Sequence, residues 1–225
     1  MNGEPDIAVP ARALGDTARG LMASALLGHR QIPAGELARI AGVTASTASE
    51  HLHVLLAAGL VSVEHRGRGR FYRLASDDVA RVVEALQVLA PRREVRSLVQ
   101  ATVSAELSAG RTCYDHLAGD LGLHVADLLV AAELASGLDV GATLTAPHPF
   151  PDNLVTQTLG LLPPLGRRPW IRGCLDWSGR RAHVAGQVGA QVLSTLEARG
   201  WMVRRPSTRA VVLTPAGGPG VAVPH

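Results

Sequence analysis

The sequence predicts a mainly α-helical protein with small β-hairpins, divided into two domains. Apolar residues recur at helical spacing through most of the first 110 residues. Two short segments, 60–74 and 200–217, instead read as pairs of strands joined by glycine-rich or polar turns. Two motifs in the second half of the chain occur twice. With 225 residues, 47% of them hydrophobic, the chain can bury two ordinary cores.

The segment 44–59 is predicted to form a helix of the kind that reads DNA. Thr44 is a suitable N-cap, and Gly59 supplies the left-handed stop, so the helix should run from about residue 45 to 58. Ala48, Leu52, Leu55 and Leu56 fall at helical spacing and can face a core. The other side carries small polar residues, which let a helix approach base edges closely. The alternative is an ordinary surface helix whose hydroxyl groups only solubilise it.

The segment 60–74 reads as a β-hairpin with a basic, glycine-rich tip. Arg66, Arg68 and Arg70 alternate with Gly67 and Gly69. Glycines allow a tight turn, and arginines beside them can reach phosphates or a narrow minor groove. The hairpin directly after the helix favours the DNA-reading interpretation over a merely solvated charged face.

The preceding residues complete a helix-turn-helix. Residues 1–10 are expected to be disordered, and Ala13–Leu27 is expected to form one helix. The segment 32–41 should contain the first helix of the motif, with Gly42 and Val43 in the turn. The sequence therefore predicts an N-terminal winged helix-turn-helix domain over residues 11–90.

Four segments carry a resemblance to a known family: Ala13-Leu-Gly-Asp-Thr-Ala-Arg19, Gly35-Glu-Leu-Ala-Arg-Ile-Ala-Gly-Val-Thr-Ala-Ser-Thr-Ala-Ser-Glu-His-Leu52, Ala58-Gly-Leu-Val61 and Gly69-Arg-Phe-Tyr-Arg-Leu74. In this order they resemble the ArsR-type winged-helix transcriptional regulators. The resemblance implies a homodimer that binds operator DNA with an affinity set by an inducer. The residues that we expect to contact double-stranded DNA are Thr44, Ser46, Thr47, Ser49, His51, Arg66, Arg68, Arg70 and Tyr72.

Two amphipathic runs follow the wing. Ser76 opens the first, Pro91 interrupts the pattern, and the second ends at Gly110. In the family that the chain resembles, the helix after the wing helps to make the dimer, so Val79–Leu107 is the predicted interface. A tether between two domains is the alternative.

Residues 111–217 contain a weak internal repeat. Arg111-Thr-Cys-Tyr-Asp115 matches Arg172-Gly-Cys-Leu-Asp176, and His116-Leu-Ala-Gly-Asp-Leu-Gly122 matches His183-Val-Ala-Gly-Gln-Val-Gly189. The repeat predicts a duplicated helical, winged-helix-like domain of two helix-turn-strand units about a pseudo-two-fold axis. Matched residues should lie near each other, which would bring together Arg111, Cys113, Asp115, His116, Arg172, Cys174, Asp176 and His183.

Most of the few aromatic residues flank these motifs, as the walls of a sensor pocket for an organic ligand would. The alternative is that the tryptophans fill a core. The candidate ligand-binding residues, with an arginine to hold an anionic group, are Arg111, Tyr114, Trp170, Arg172, Trp177 and Trp201.

The repeated cysteines and histidines are candidates for a thiol or metal site. The usual metal sites of the resembled family are not expected, because residues 35–41 carry no cysteine and residues 77–89 no histidine. Two thiolates with a histidine would suit a soft or borderline ion. Buried structural cysteines, with arginine–aspartate pairs holding loops to helices, are the alternative. The candidate metal or thiol residues are Cys113, His116, Cys174 and His183.

The sequence therefore predicts a homodimeric repressor released from its operator by an inducer bound in the C-terminal domain. The effectors left open are a soft metal ion and a small organic inducer; a thiol-responsive regulator and a DNA-binding module without an inducer are the alternatives. An enzyme is not expected, because no nucleophile elbow, oxyanion-hole pattern or phosphate loop is present. The predicted divisions are residues 1–10, 11–90, a connecting or dimerisation helix at 91–110, the duplicated domain at 111–217 and a disordered tail at 218–225.

The N-terminal sequence, the length of the apolar runs and the two cysteines are used to predict the cellular compartment. The N-terminus lacks a basic region followed by an apolar core, and no apolar run reaches the roughly 18 residues that a membrane helix needs. We therefore expect a cytoplasmic protein without membrane contact. In that compartment two cysteines are expected to be thiols rather than a disulfide.

Overall fold

The computed structural model describes residues 3–28, 30–91, 94–95, 97–206, 208–217 and 221. The chain forms two compact units, Met1–Leu86 and Gln87–His225. No helix among the described residues is long and apolar enough to cross a membrane.

The N-terminal unit is built from short helices and a three-stranded sheet. Its elements in chain order are α1 (Ala8–Leu14), α2 (Thr17–Ala25), β1 (Ile32–Pro33), α3 (Ala34–Ala41), α4 (Ala45–Ala57), β2 (Val61–Arg66), β3 (Gly69–Leu74) and α5 (Asp77–Leu89), the last of which runs on into the second unit. Helices α2, α3 and α4 pack against one another, and the side chains fully buried among these elements include Met22, Leu26, Leu27, Leu37, Leu52 and Leu55.

The start of the chain differs from the sequence prediction. The helix expected over Ala13–Leu27 is two helices, because Asp16 takes an extended conformation and its side chain accepts a hydrogen bond from the Arg19 amide at 3.0 Å. A new N-cap begins α2 there. Residues 8–10, expected to be disordered, form the first turn of α1. Met1 and Asn2 lie outside the described residues.

The three-stranded sheet has the order β1-β3-β2 and is antiparallel. Strands β2 and β3 form the predicted hairpin, hereafter the wing, with Arg66 opposite Gly69 and Gly67 at a positive φ of 57°. On its other edge β3 pairs with the two-residue strand β1, which places Ile32 opposite Tyr72.

The C-terminal unit alternates short strands with helices. Its elements after α5 are α6 (Leu98–Ala109), β4 (Arg111–Thr112), β5 (Leu117–Ala118), α7 (Gly119–Ala131), β6 (Thr143–Leu144), α8 (Leu154–Leu159), β7 (Ile171–Leu175), β8 (Ala182–Ala185), α9 (Gly186–Ala198), β9 (Met202–Arg204) and β10 (Val211–Leu213). Helices α7 and α9 dominate its core, in which Leu129, Ile171, Val188 and Leu196 are fully buried.

Each repeat is a β-hairpin followed by a helix, and the hairpins β4–β5 and β7–β8 are elements that the helix-turn-strand prediction missed. In each copy, the segment that follows the helix pairs with the first strand of the other copy's hairpin. Thr143 lies opposite Arg172 of β7, and Ala210 lies opposite Arg111 of β4. Such a reciprocal exchange is expected of two units related by an approximate two-fold axis.

The two copies leave their helices through different residue types. Gly200 follows α9, and the structure places Glu133 at the equivalent position after α7. Glu133 and Gly200 both have positive φ, 59° and 65°, and each is followed by an amide that donates back into the preceding helix, Leu134 to Leu129 and Trp201 to Leu196, both at 2.9 Å. Because Glu133 is not a glycine, nothing in the sequence indicates that it adopts a positive φ.

Two further expectations concern segments that are only partly described. Strands β9 and β10 pair as expected, but Ser207 of their connecting turn lies outside the described residues. Of the tail expected to be disordered, residues 218–220 and 222–225 also lie outside them. Val221 is fully buried in the C-terminal core, against that expectation.

Candidate functional site

Helix α4 presents a small polar surface at its N-terminal end. The prediction of its bounds and cap is confirmed: Thr44 accepts a hydrogen bond from the Thr47 amide at 3.2 Å, and α4 ends at Ala57, two residues before Gly59, which has φ +67°. Ser46 is exposed and Ser49 is half-buried, whereas Leu52 on the opposite face is fully buried. Anchored through its apolar face, the first turn of α4 remains at the surface, where recognition helices contact base edges.

Two of the predicted DNA-contacting residues serve the domain itself. Tyr72 is only 2% exposed and lies on the same face of β3 as the buried Leu74, so its assignment to DNA is corrected. His51 is half-buried and its Nδ1 lies 3.3 Å from Arg19 Nη1 and 3.7 Å from Asp16 Oδ1. This contact joins α4 to the start of α2, so the proposed DNA contact of His51 is withdrawn as well.

The three wing arginines predicted to contact DNA differ in the contacts that their side chains make. The Arg66 guanidinium pairs with Glu64, with Nε to Oε1 at 2.8 Å, donates to Gln31 and lies over the Phe71 ring. Arg68 and Arg70 are exposed beside the turn. These two side chains are the wing cations best placed to reach a phosphate, while Arg66 is held by Glu64 and Gln31.

The repeated cysteines and histidines come together in the C-terminal unit, and we call Cys113, His116, Cys174 and His183 the Cys–His cluster. All four are buried, and one ligand atom from each lies within 4.8 Å of the others. The two Nε2 atoms of the histidines are 3.1 Å apart, with ring centroids separated by 5.0 Å. Two thiols and two imidazoles in this arrangement can bind a metal ion or, by their cysteines alone, undergo oxidation.

Each histidine of the Cys–His cluster faces an aspartate through its other ring nitrogen. His116 Nδ1 is 3.2 Å from Asp115 Oδ1, and His183 Nδ1 is 3.6 Å from Asp176 Oδ2. Burial raises the pKa of Asp115, but its contacts with His116 and Arg168 outweigh this and lower the pKa to about 2. Burial and the neighbouring His116 hold the pKa of His183 well below its usual range, so its imidazole is neutral.

Asp176 is the centre of a buried network of the kind expected in the alternative of arginine–aspartate pairs that hold loops to helices. Its carboxylate accepts from Arg111 Nη2 at 2.8 Å and from the amides of Gly119, Ser178 and Gly179 at 2.6, 2.7 and 2.8 Å. Burial opposes ionisation, but Arg111 and these donors hold the pKa of Asp176 well below its usual range. These hydrogen bonds join Asp176 of the second repeat to Arg111 and to the start of α7, both of which belong to the first repeat.

The side chains of Arg111 and Trp177 are therefore already engaged within the protein and do not form a binding site for an organic anion. The Arg111 guanidinium is fully buried, already paired with Asp176, and stacked 4.0 Å from the centre of the Trp177 ring. Trp170 is 2% exposed in the core, and Trp201 lies under Arg199. These placements correct the expectation of one aromatic-walled pocket, because the rings are used in separate places.

The two remaining predicted ligand residues lie in different elements of the C-terminal unit. Tyr114 and Arg172 are half-buried, in the first hairpin turn and in β7 respectively. A surface cavity of about 330 Å³ lies elsewhere, lined by residues 133–134, 136 and 143–147, and none of the six predicted residues lines it. The sequence did not single out Arg168, which pairs with Asp115 from a proline-rich connection without any periodic pattern.

Comparisons with known proteins place this geometry in a family. Residues 16–64 match the family model of a helix-turn-helix domain. The chain is 40% identical over 216 residues to an uncharacterized HTH-type transcriptional regulator of Bacillus subtilis, YdfF, covering 95% of this chain and 94% of that one. Over 84 residues it is 34% identical to the biofilm growth-associated repressor of Agrobacterium fabrum, covering 37% and 71% of the two chains.

Two of the solved structures that resemble the chain each cover 40% of it. One is the homodimeric winged helix-turn-helix DNA-binding domain of Mb0332 from Mycobacterium bovis, with 30% identity, a TM-score of 0.35, and coverage of 40% of this chain and 88% of that one. Another is the cadmium metal-sensor CMTR of Mycobacterium tuberculosis, with 35% identity, a TM-score of 0.33, and coverage of 40% and 95%. With the family-model match and the relative that spans nearly the whole chain, the chain belongs to the HTH-type transcriptional regulators.

Proposed function

We propose that the chain is a homodimeric repressor that binds operator DNA through its winged helix-turn-helix unit and is released by an effector bound in its C-terminal unit. One observation carries the DNA-binding part: the first turn of α4 exposes small polar groups while Leu52 and Leu55 fix the other face in the core. Ser46 and Ser49 contact base edges in the major groove, and Arg68 and Arg70 hold phosphates or the minor groove beside it.

An exposed apolar stripe supports the dimer. On α5, Val82, Leu86 and Leu89 recur at helical spacing and are 47%, 45% and 80% exposed, although large apolar side chains are usually buried. On α6, Leu98 and Val99 are also largely exposed. Burial of such a face against a second copy fits an interface within Val79–Leu107. Two-fold symmetry would then place two α4 helices on half-sites about 10 base pairs apart or a multiple of that.

Substitutions can test the separate roles proposed for α4, which contacts bases, and for the wing, which contacts the DNA backbone. Arg68→Ala should weaken binding to operator and random duplexes similarly and reduce the slope of log affinity against log salt by about one per protomer, because one phosphate contact is lost. Ser46→Ala should instead lower affinity mainly for the operator, because it removes a base-edge contact. Fluorescence anisotropy with both duplexes over a salt series measures both effects.

Arg181→Ala is the matched control for charge, because this exposed arginine pairs with Asp127 and lies outside both the winged helix-turn-helix unit and the proposed interface. It should leave the salt slope unchanged. If Arg68→Ala and Ser46→Ala lower affinity equally on specific and random DNA, the proposed separation of backbone and base contacts is wrong.

A further inference from the structure

The Cys–His cluster lies where the two hairpins of the C-terminal unit meet. Cys174 is the register partner of His183 across β7 and β8. In the first copy the Cys113 amide donates to the His116 carbonyl at 2.9 Å, which sets those two residues opposite each other in the same way. Each repeat therefore supplies one cysteine and one histidine as a cross-strand pair, and the two pairs converge.

Each histidine places its Nε2 inside the cluster and its Nδ1 towards an aspartate. A carboxylate only accepts hydrogen bonds, so Asp115, 3.2 Å from His116 Nδ1, favours the tautomer in which His116 carries its proton on Nδ1 and offers Nε2 as an acceptor. His183 Nδ1 lies 3.6 Å from Asp176 and makes no hydrogen bond there, so the Nε2–H of His183 can donate to His116 Nε2 at 3.1 Å. A cation bound by both Nε2 atoms would take the place of this shared proton. Carboxylates behind metal-bound histidines commonly have this orienting role.

The ligand types and spacing indicate the class of ion. Two sulfur and two nitrogen ligands suit a tetrahedral borderline ion such as Zn²⁺, and the cluster offers none of the oxygen ligands that Mg²⁺ or Ca²⁺ prefer. Tetrahedral bonds of about 2.0–2.3 Å place ligand atoms about 3.3 to 3.8 Å apart. The four observed ligand atoms, all within 4.8 Å of one another, need only a small contraction to reach that spacing. Two thiolates would also neutralise the two charges of a divalent ion in this buried place.

We propose that Cys113, His116, Cys174 and His183 bind one tetrahedral divalent ion of the zinc class, which joins the two repeats across their approximate two-fold axis. We further infer that this ion is the effector of the protein, a statement that rests on the proposed repressor function, whereas the binding site itself does not. Binding displaces the two thiol protons to solvent, because the ligands are thiolates and neutral imidazoles.

Titration of the full-length, metal-free protein with Co²⁺ under a phosphine reductant tests the site. The expected result is saturation at one ion per chain, with a thiolate-to-metal charge-transfer band and the intense visible bands of a tetrahedral complex, followed by displacement of the spectrum on addition of Zn²⁺. Cys113→Ser/Cys174→Ser should lose the charge-transfer band, and His183→Gln should weaken binding at least about tenfold.

Matched controls separate loss of ligands from loss of fold. His124→Gln removes a histidine of α7 that is outside the cluster and should leave the titration unchanged. Far-UV circular dichroism identifies any variant that has not folded, and His116→Gln then provides a second ligand substitution. A folded wild-type protein that binds no Co²⁺ or Zn²⁺ with reduced thiols, or whose spectrum is unchanged in the double variant, would overturn the site.

A second arm tests the effector role. Operator affinity of the wild-type protein should change at least about tenfold on addition of Zn²⁺, and that of Cys113→Ser/Cys174→Ser should not. Zn²⁺ binding without any change in operator affinity would overturn the effector role and leave the site standing. Failure of the metal-free protein and the Zn²⁺ complex alike to prefer any upstream duplex would instead contradict the proposed repressor function, independently of the titration.

Discussion

Replacing Arg111 with alanine is expected to destabilise the C-terminal unit by about 3 to 5 kcal/mol, because it leaves the Asp176 carboxylate buried without its cation. Asp176 is fully buried and its pKa is held well below the usual range. The substitution also removes the guanidinium that stacks on Trp177 and donates to the Leu107 carbonyl at 3.0 Å. Urea denaturation followed by circular dichroism measures the loss.

Arg181→Ala is the control for this prediction. Arg181 also pairs with an aspartate, Asp127, through two contacts of 3.0 Å, but both side chains are more than half exposed. Such pairs contribute about 0 to 1 kcal/mol. The double variant Arg111→Ala/Asp176→Asn should recover part of the stability by removing the stranded charge. A loss in Arg111→Ala no greater than in Arg181→Ala would show that the buried network is not what holds the repeats.

Replacing Gly119 with alanine should destabilise the same unit by about 2 to 5 kcal/mol. Gly119 begins α7 with φ +75°, which costs a residue with a side chain about 1 to 2 kcal/mol. The added Cβ would also lie 2.4 Å from the carbonyl oxygen of Ser108, a backbone atom that can move only with its helix. Overpacking of this kind adds about 1 to 3 kcal/mol. Thermal and urea unfolding of the purified variant check the value.

Gly137→Ala separates the two causes. Gly137 has a similar φ of 79°, but an added Cβ would meet no atom within 4 Å. It should therefore cost only the conformational part, about 1 to 2 kcal/mol. Equal losses in the two variants would contradict the view that close packing of α6 against the start of α7 fixes the glycine.

The helix-turn-helix could be predicted from the sequence because its signals are local. Thr44 and Gly59 mark the two ends of α4, and the basic hairpin follows at once. What failed there depended on contacts distant in sequence. Tyr72 is buried on the face of β3 that carries Leu74, and β1, which pairs with the edge of β3, has only two residues and no alternating pattern. His51 is engaged by Asp16 and Arg19, whose proximity nothing in the sequence indicates.

In the C-terminal unit the repeat predicted the neighbours but not their roles. Duplication places Cys113, Cys174, His116 and His183 together, and residues 176–181 extend only the tip of the second hairpin, so both cross-strand pairs survive the difference in spacing. The sequence left two roles open for Arg111, a ligand contact and a pair with a repeated aspartate, and the structure has the pair with Asp176. Which role an arginine takes depends on burial, which a motif of five residues does not reveal.

Titration of a duplex from the upstream region of the protein's own gene with the full-length chain, followed by fluorescence anisotropy, tests the central claim most directly. The account predicts saturation at two chains per duplex and, at a fixed salt concentration, affinity at least about 1,000-fold higher than for a scrambled duplex of the same length and composition. Equal affinity for the two duplexes would contradict sequence-specific operator binding. Saturation at one chain per duplex would contradict the dimer.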